Sequence, residues 1–392
     1  MKKTVIIGVT SSIATYKSVQ LVSDLIKKGY DVEVIMSKNA TNFIQPLTFS
    51  SLTKHKTYVE TFEREVHYNV EHISLAKKAD VFMIAPATAN VIAKVAHGLA
   101  DDMLTTTFLA ANCPKIIAPA MNTNMYTNPI TKNNMALCKT YGMQFIEPKS
   151  GVLACGDEGV GKLADIDTMI DAVDMALQKE KPLKGKRVLV SAGPTIEAID
   201  PVRFISNHSS GKMGYAVAKA ARNLGAHVIL VSGPVNLKKL NGVNTVWVKN
   251  AEDMAFHMKT HFSNCDYIVM AAAVADFKPE QIADEKIKKA DNQTLIKLSK
   301  TEDILAYLGK HKIKQKICGF AMETQHVLEN ARYKFESKNC DLLVVNDLNI
   351  DGAGFQGDTN KVTLIKKDTN QELDLMSKEE LAYKILEELQ NI

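Results

Sequence analysis

Three side chains in the first half of the chain could move a proton or hold a carboxylate: His72, Asn122 and Cys155. Asn122 lies in Pro119-Ala120-Met121-Asn122-Thr123-Asn124-Met125-Tyr126, directly after an apolar run over 115–118. Its amide therefore falls at the carboxyl edge of a strand, where ligands of open α/β sheets bind. Cys155 belongs to the glycine-rich stretch 150–161, which suits a flap better than a core element. A thiol there could donate a proton or attack a substrate. His72, in Glu71-His72-Ile73, is of the residue type most often used for acid–base work. Taken singly, each also has a plain structural explanation: a turn with core methionines, an inert thiol, a surface histidine.

The second half carries Asn207 in a loop, Asp200-Pro201-Val202-Arg203-Phe204-Ile205-Ser206-Asn207-His208-Ser209-Ser210-Gly211-Lys212-Met213-Gly214, that precedes a helix. Lys286, Lys288 and Lys289 cluster on a loop beyond Asp276 and Pro279, and Lys334 and Lys338 are spaced to share a helix face. Such lysines could meet phosphates, although a solvated surface is their ordinary state. Two small-residue turns, Thr10-Ser11-Ser12-Ile13 and Ala85-Pro86-Ala87-Thr88-Ala89-Asn90, follow buried runs. Hydroxyls and backbone N–H groups at a helix start suit a phosphate or, equally, cap the helix. No G-x-G-x-x-G follows the opening strand, and Gly156-Asp157-Glu158-Gly159-Val160-Gly161 has its glycines in the wrong order. The segment before Gly211-Lys212 has Ser206 where a phosphate-binding loop of the Walker type needs glycine and Met213 where it needs Ser or Thr. An ordinary dehydrogenase or P-loop enzyme is disfavoured.

The elements that must position these residues start twice. An apolar run over 4–9, a helical stretch over 13–28 stopped at Gly29 and a strand over 31–36 are echoed by a run from Arg187, a helix over about 213–224 stopped at Gly225 and a strand over 227–231. Continuous β-branched runs alternating with helical stretches predict two tandem doubly wound, Rossmann-like α/β parallel-sheet domains. A chain of 392 residues fits that number. The expected boundary is 1–182 and 183–392, with the charged segment 179–186 as a linker. Ser377 to Leu389 reads as an amphipathic helix opened by a Ser-x-x-Glu capping box. A net charge of +4, without a concentrated basic face, gives no reason to expect nucleic acid. No run is long enough to span a membrane. The six cysteines show no C-x-x-C, which disfavours a zinc ribbon or disulfide framework and fits a reducing cytoplasm.

The motifs together carry a family resemblance. Residues 1 to about 180 resemble the flavin-containing phosphopantothenoylcysteine decarboxylases through Gly8-Val9-Thr10-Ser11-Ser12-Ile13-Ala14-Thr15-Tyr16-Lys17, His72-Ile73, Ala85–Asn90, the Pro119–Tyr126 segment and Ala154-Cys155-Gly156. Ser11 stands where that family often has glycine, and Tyr126 where it usually has tryptophan. The remainder resembles phosphopantothenate–cysteine ligases through Ser191-Ala192-Gly193-Pro194-Thr195, the Asp200–Gly214 loop, Ala271-Ala272-Ala273-Val274-Ala275-Asp276-Phe277, Lys286-Ile287-Lys288-Lys289, Gly319-Phe320-Ala321-Met322-Glu323-Thr324 and Val344-Val345-Asn346-Asp347. In this order the two halves resemble the fused bifunctional coenzyme A biosynthesis proteins of bacteria.

That resemblance implies bound FMN, held by Ser11, Ser12, Ser37, Thr88 and Asn90, which oxidises a substrate thiol so that carbon dioxide can leave, and then returns the electrons. His72 would act as base or orienter, Asn122 would hold the substrate carboxylate or amide, and Cys155 would donate the final proton. It implies a ligase that activates 4'-phosphopantothenate with CTP as an acyl-cytidylate, which cysteine attacks to give phosphopantothenoylcysteine. Asn207 would stabilise that intermediate. Asp276, Lys286, Glu302, Asp303, Ile304, Leu305, Phe320, Lys334 and Lys338 would contact the nucleotide, with Mg2+ accompanying the triphosphate through ligands the sequence does not reveal. The implied assembly is a homo-oligomer in which ligase dimers join decarboxylase trimers, up to a dodecamer.

Overall fold

The computed structural model describes residues 2–62, 70–153, 156–178, 180–288, 295–323, 327–347 and 357–392. They form two compact units, Met1–Lys179 and Glu180–Ile392.

In the first unit the strands are β1 (Thr4–Val9), β2 (Asp31–Met36), β3 (Thr57–Tyr58), β4 (Val81–Ala87), β5 (Lys115–Pro119), β6 (Gln144–Phe145), β7 (Lys149–Val152) and β8 (Glu158–Lys162). The helices are α1 (Thr15–Lys27), α2 (Pro46–Thr53), α3 (Glu71–Lys78), α4 (Ala89–His97), α5 (Met103–Ala110), α6 (Thr123–Thr127), α7 (Pro129–Thr140) and α8 (Ile166–Leu177). Strands β3-β2-β1-β4-β5-β6 make one parallel sheet, whose order reverses between β1 and β4. The apolar runs are continuous because both faces are covered. Val5, Ile7 and Val9 pack with Leu21 and Leu25 of α1 and Val173 of α8, while Ile6 packs with Leu75, Ile92 and Phe108 of α3, α4 and α5. Helix α1 is stopped by Gly29, whose φ of 92° is left-handed backbone that favours glycine. Strands β7 and β8 pair as a separate antiparallel hairpin.

In the second unit the strands are β9 (Arg187–Ala192), β10 (Glu197–Ala198), β11 (Phe204–Ile205), β12 (His227–Ser232), β13 (Asn244–Trp247), β14 (Tyr267–Met270), β15 (Phe277–Pro279), β16 (Leu298–Lys300), β17 (Lys316–Glu323), β18 (Leu342–Asp347), β19 (Thr359–Ile365) and β20 (Asn370–Ser377). The helices are α9 (Lys212–Asn223), α10 (Ala251–Phe262), α11 (Ile304–His311), α12 (Val327–Ser337) and α13 (Lys378–Asn391). The main sheet runs β13-β12-β9-β14-β17-β18-β19-β20, parallel as far as β18 and antiparallel from there. Helices α9 and α13 bury Val217, Ala218, Leu381 and Ile385 against one face, and α10, α11 and α12 bury Met254, Leu308 and Phe335 against the other. The two doubly wound sheets are the architecture expected from the paired starts. Ser377 caps α13 in a complete capping box with Glu380, also as expected.

The expected linker is partly wrong. Leu183 is 1% exposed, its N–H donates to the Leu224 carbonyl, and the Lys181 ammonium donates to the Asn223 carbonyl, so this stretch is folded onto the end of α9. Pro182 and Gly185 mark a turn in the second unit; the charged side chains surround a buried leucine that composition alone could not flag.

Close packing fixes the start of α9. A Cβ added at Gly214 would lie 2.5 Å from the Ala192 Cβ and 2.9 Å from the Ser191 carbonyl oxygen. A Gly214→Val substitution is expected to push α9 off β9 and lower unfolding free energy by about 1–3 kcal/mol, read by denaturant titration of the full chain.

Candidate active sites

In the first unit the chemistry-bearing loops gather at the carboxyl edge of β2, β1, β4 and β5. Thr10 stitches two of them together. Its buried hydroxyl donates to the Pro86 carbonyl at 2.7 Å and accepts from the Thr88 N–H at 3.1 Å. Ser18 adds a bond to the Ala85 carbonyl at 2.8 Å. The sequence marks Thr10 only as part of a small-residue turn and gives Ser18 no role, because a hydroxyl that joins loops distant in the chain leaves no local signal.

Thr88 caps α4 by accepting from the Val91 N–H at 3.3 Å, and Asn90 is exposed in the first turn. Ser11 and Ser12 do not cap α1: its cap is Ala14, and the Ser12 hydroxyl accepts from the Ala14 N–H at 3.3 Å. Ser37 ends β2 with a buried hydroxyl that has no hydrogen-bond partner. Asn122 caps α6, its Oδ1 accepting from the Asn124 N–H at 2.8 Å.

Asn122 and Ser12 line one cavity of about 470 Å3, with Tyr16 and Lys17 of α1 and Leu153 and Gly161 of the hairpin. Gly161 allows the hairpin to sit there. The Met121 N–H donates to the Gly161 carbonyl at 3.0 Å, and a Cβ at Gly161 would come within 2.1 Å of the Met121 oxygen. Ser11, Ser37, Thr88 and Asn90 do not line that cavity. His72 does not either; it is half-buried at the start of α3. Since α3 runs back between parallel strands, its first turn lies toward the same sheet edge as the loops. Cys155 lies outside the described residues. Tyr126 is buried and its hydroxyl donates to Glu147 Oε2 at 2.7 Å, with the Lys132 ammonium 3.6 Å from its ring centre.

One further cluster, Asp31, Glu33 and His55, has metal-ligand chemistry. Lys78 already answers it, with its ammonium 2.9 Å from Asp31 Oδ2 and 2.5 Å from Glu33 Oε1. Asp31 begins β2, so the cluster lies at the opposite edge of the sheet from the loops.

In the second unit two neighbouring cavities open at the carboxyl edge of β9, β14 and β17. The loop 271–276 between them is held from three sides. Ser191 Oγ accepts from the Ala272 N–H at 3.2 Å, Thr195 Oγ1 accepts from the Ala275 N–H at 3.0 Å, and Asn207 Nδ2 donates to the Ala273 carbonyl at 2.6 Å. Asn207 Oδ1 accepts from the Ser209 N–H at 3.0 Å, which places the amide beside the α9 start.

Eight of the nine expected nucleotide contacts line the larger cavity, of about 450 Å3: Asp276, Glu302, Asp303, Ile304, Leu305, Phe320, Lys334 and Lys338. Asp303 caps α11 through the Ala306 N–H at 2.8 Å and pairs with Lys338 at 2.5 Å. Burial would raise the Asp303 pKa, but Lys338 and the cap outweigh it and hold the carboxylate below its ordinary value. Glu302 pairs with Lys259 at 2.5 Å, and the Lys334 ammonium donates to the Phe320 carbonyl at 3.1 Å. Asp276, Phe320 and Lys334 also line the smaller cavity, of about 280 Å3. Lys286 is the exception: it is exposed on the loop after β15 and lines neither cavity.

Asp200 anchors that loop. Its carboxylate accepts from Val202 and Arg203 N–H groups at 2.8 and 2.7 Å, from Arg203 Nε and Nη2 at 2.9 and 2.5 Å, and from the Ile287 N–H at 3.2 Å. Arg203 Nη2 also donates to the Ile287 carbonyl at 2.8 Å. The residue after Lys286 is thus tied to a turn read from the sequence only as part of a motif.

Residues 1–178 match the family described as Flavoprotein, and residues 183–392 the family described as DNA/pantothenate metabolism flavoprotein C-terminal domain. The chain is 46% identical over 391 residues, 99% of its own length and 96% of the relative's, to the coenzyme A biosynthesis bifunctional protein CoaBC of Bacillus subtilis. It is 42% identical over 387 residues, 98% of each chain, to the protein of that name from Borreliella burgdorferi. A crystal structure of the C-terminal domain of a coenzyme A biosynthesis bifunctional protein CoaBC is 44% identical, covering 54% of this chain and 97% of that chain with a TM-score of 0.47. Among the described residues no helix is long and apolar enough to cross a membrane.

The Arg203 guanidinium beside Asp200 holds its carboxyl well below the usual carboxylate range. The stabilisation this gives is present in full above the unfolded-chain value, about 3.9, and is lost as pH falls below it toward the folded value. Asp200→Asn is therefore expected to lower thermal stability by a constant margin at pH 5–8 and by a shrinking margin below about pH 4. Paired melting curves of the two proteins across pH would check this; a margin that grows on acidification would contradict it.

Proposed function

The chain belongs to the family of bifunctional coenzyme A biosynthesis proteins, each a ligase and a decarboxylase on one polypeptide, and on that premise we propose that Met1–Lys179 carries the decarboxylase and Glu180–Ile392 the ligase. The observation that carries the reading is the pair of neighbouring cavities in the second unit, meeting at Phe320 with Asn207 bonded to the loop between them.

In that unit CTP occupies the larger cavity and 4'-phosphopantothenate the smaller. A carboxylate is a poor electrophile, and forming an acyl-cytidylate gives it a leaving group. Asn207, fixed beside Ala273 and Ser209, stabilises that intermediate as cysteine attacks it. Lys334 and Lys338 meet the nucleotide from α12 and its end. Lys286, which lines neither cavity, would meet the triphosphate from the loop tied to Asp200, and bound Mg2+ would offset the triphosphate charge.

In the first unit the fit to FMN rests on polar groups at the sheet edge, above all the buried, unpartnered Ser37 hydroxyl. Ser11, Ser12, Thr88 and Asn90 border the same edge, at the strand-order reversal where such ligands bind. Bound FMN would supply the electron sink that no side chain offers. Asn122 holds the carboxylate or amide of phosphopantothenoylcysteine in the cavity beside Ser12. His72 takes or orients the thiol proton, and Cys155 returns a proton at the last step to give phosphopantetheine.

The ribbons β10–β11 and β15–β16 expose Phe204, Phe277 and Leu298. Apolar surface of this kind supports a ligase dimer, which would join decarboxylase trimers into a larger assembly.

The purified chain is expected to be yellow and to release pyrophosphate only when 4'-phosphopantothenate and CTP are both present. Chelation of Mg2+ is expected to stop that release. Asn207→Ala should cut ligation by about 10²–10³-fold while supplied phosphopantothenoylcysteine is still decarboxylated at the native rate. A colourless protein would sink the decarboxylase assignment, and pyrophosphate release indifferent to CTP the ligase assignment. Phe204→Glu with Leu298→Glu is expected to reduce the assembly to the mass of a trimer in sedimentation, and an unchanged mass would refute the dimer surface.

A further inference from the structure

Helix α12 and the residue just past its end carry Lys334 and Lys338 to the larger cavity, yet the helix has little apolar hold on the sheet. Among its described side chains only Ala331 and Phe335 are buried, and both pack with Ile317, Leu343 and Val345 of β17 and β18. Residues four apart lie one above the other on a helix, so two such anchors define a line along α12 and leave it free to rock about that line. At about 100° per residue, Lys334 falls on one flank of the line and Arg332 on the other. Rocking of the helix would therefore swing the Lys334 ammonium within the cavity.

Ties on the two flanks oppose that motion. On the first, the Lys334 ammonium donates to the Phe320 carbonyl at 3.1 Å and Lys338 pairs with Asp303. On the second, the half-buried Arg332 donates from Nη1 to the Lys366 and Lys367 carbonyls at 2.6 and 3.1 Å, and from Nη2 to Asn370 Oδ1 at 2.5 Å. All three acceptors belong to the turn joining β19 to β20. The guanidinium also lies 5.8 Å from the Phe335 ring centre. The turn is itself fixed, because the Lys366 N–H donates to the Thr369 carbonyl at 2.9 Å and the Lys366 ammonium pairs with Glu388 of α13. A planar fork of fixed donors can hold three acceptors on one turn, a geometry that an ammonium on a flexible stem does not reproduce.

We propose that Arg332 is a positioning residue of the ligase: by clamping α12 to the β19–β20 turn it fixes where Lys334 and Lys338 stand, so that a turn lining neither cavity sets the affinity for the nucleoside triphosphate. This rests on the ligase reading given above and adds to it the device that holds the two lysines. A merely structural arginine would behave differently: its loss would lower stability without favouring one substrate over another.

The experiment compares the full-length wild type with Arg332→Ala, Arg332→Lys, Asn370→Ala and the Arg332→Ala/Asn370→Ala double variant. It uses calorimetric binding of CTP with Mg2+ present and steady-state KM values for CTP, 4'-phosphopantothenate and cysteine. Arg332→Ala is expected to weaken CTP binding and raise its KM about 10-fold, with KM for the other two substrates changed less than about twofold. Arg332→Lys, which keeps the charge and loses the fork, should recover only part of that loss. Asn370→Ala removes one acceptor and should cost about threefold in CTP affinity. Added to Arg332→Ala it should cost less than about 1.5-fold, since its partner is already gone.

Unchanged CTP affinity in a folded Arg332→Ala protein would overturn the proposal, as would equal losses for all three substrates or full additivity in the double variant. If the alanine variant does not fold, Arg332→Lys decides by the same criteria: a loss confined to CTP upholds the clamp, and no loss or a uniform one overturns it. A wild type that binds no CTP would refute the ligase reading itself. One that binds CTP and releases pyrophosphate from it equally well with or without Arg332 would refute only the clamp.

Discussion

Both units depend on stitching two loops together across a strand-order reversal. A parallel sheet covered by helices on both faces leaves its carboxyl edge as the place where side chains can meet a ligand. The loops there follow strands adjacent in the sheet and far apart in the chain, so nothing local holds them in register. In the first unit the Thr10 hydroxyl bonds the loops after β1 and β4. In the second, Ser191 and Thr195 accept N–H groups of the loop after β14. Buried hydroxyls suit this task because they donate and accept within one short, stiff side chain, and leaving the loop amides unpaired would cost about 1–3 kcal/mol each.

Much of the frame was legible because it follows from periodicity. Continuous apolar runs such as Thr4–Val9 announce strands covered on both faces, and Gly29 and Gly225 end helices with left-handed backbone. Ser377 with Glu380 announces a helix start by chemistry that works over three residues. Long-range consequences were not legible. In sequence Leu183 is one apolar residue in a charged stretch, and its burial against the end of α9 leaves no local signal. Asp200 could be read as part of a motif, but its second purpose, holding the Ile287 backbone, depends on a contact 87 residues away.

The site residues divide along the same line. Asn122 and Asn207 stand out in sequence because loops rich in Gly, Asn and Ser after strands are recognisable, and both side chains prove to be fixed by backbone N–H groups next to them. Lys334 and Lys338 were indistinguishable from surface lysines; their meaning comes from Phe320 and Asp303, which lie on other elements. Lys286 shows the converse. Its cluster is conspicuous in sequence, yet it lines neither cavity and is tethered through its neighbour.

Lys378 is the clearest case of a residue placed against its own local preference. A cation at the first position of a helix opposes the helix dipole, and burial of an ammonium opposes solvation. The adjoining Glu379 and Glu380 show the acidic pattern that a helix start favours. Leu381 and Ile385, fully buried in the same helix, each contribute about 1.5–3 kcal/mol by burial, enough to dock α13 whatever residue opens it. Packing therefore accounts for the helix but not for the lysine. Together with Asn346 and Asn360, whose side-chain oxygens have no hydrogen-bond partner, it makes the antiparallel end of the sheet costly as scaffold alone.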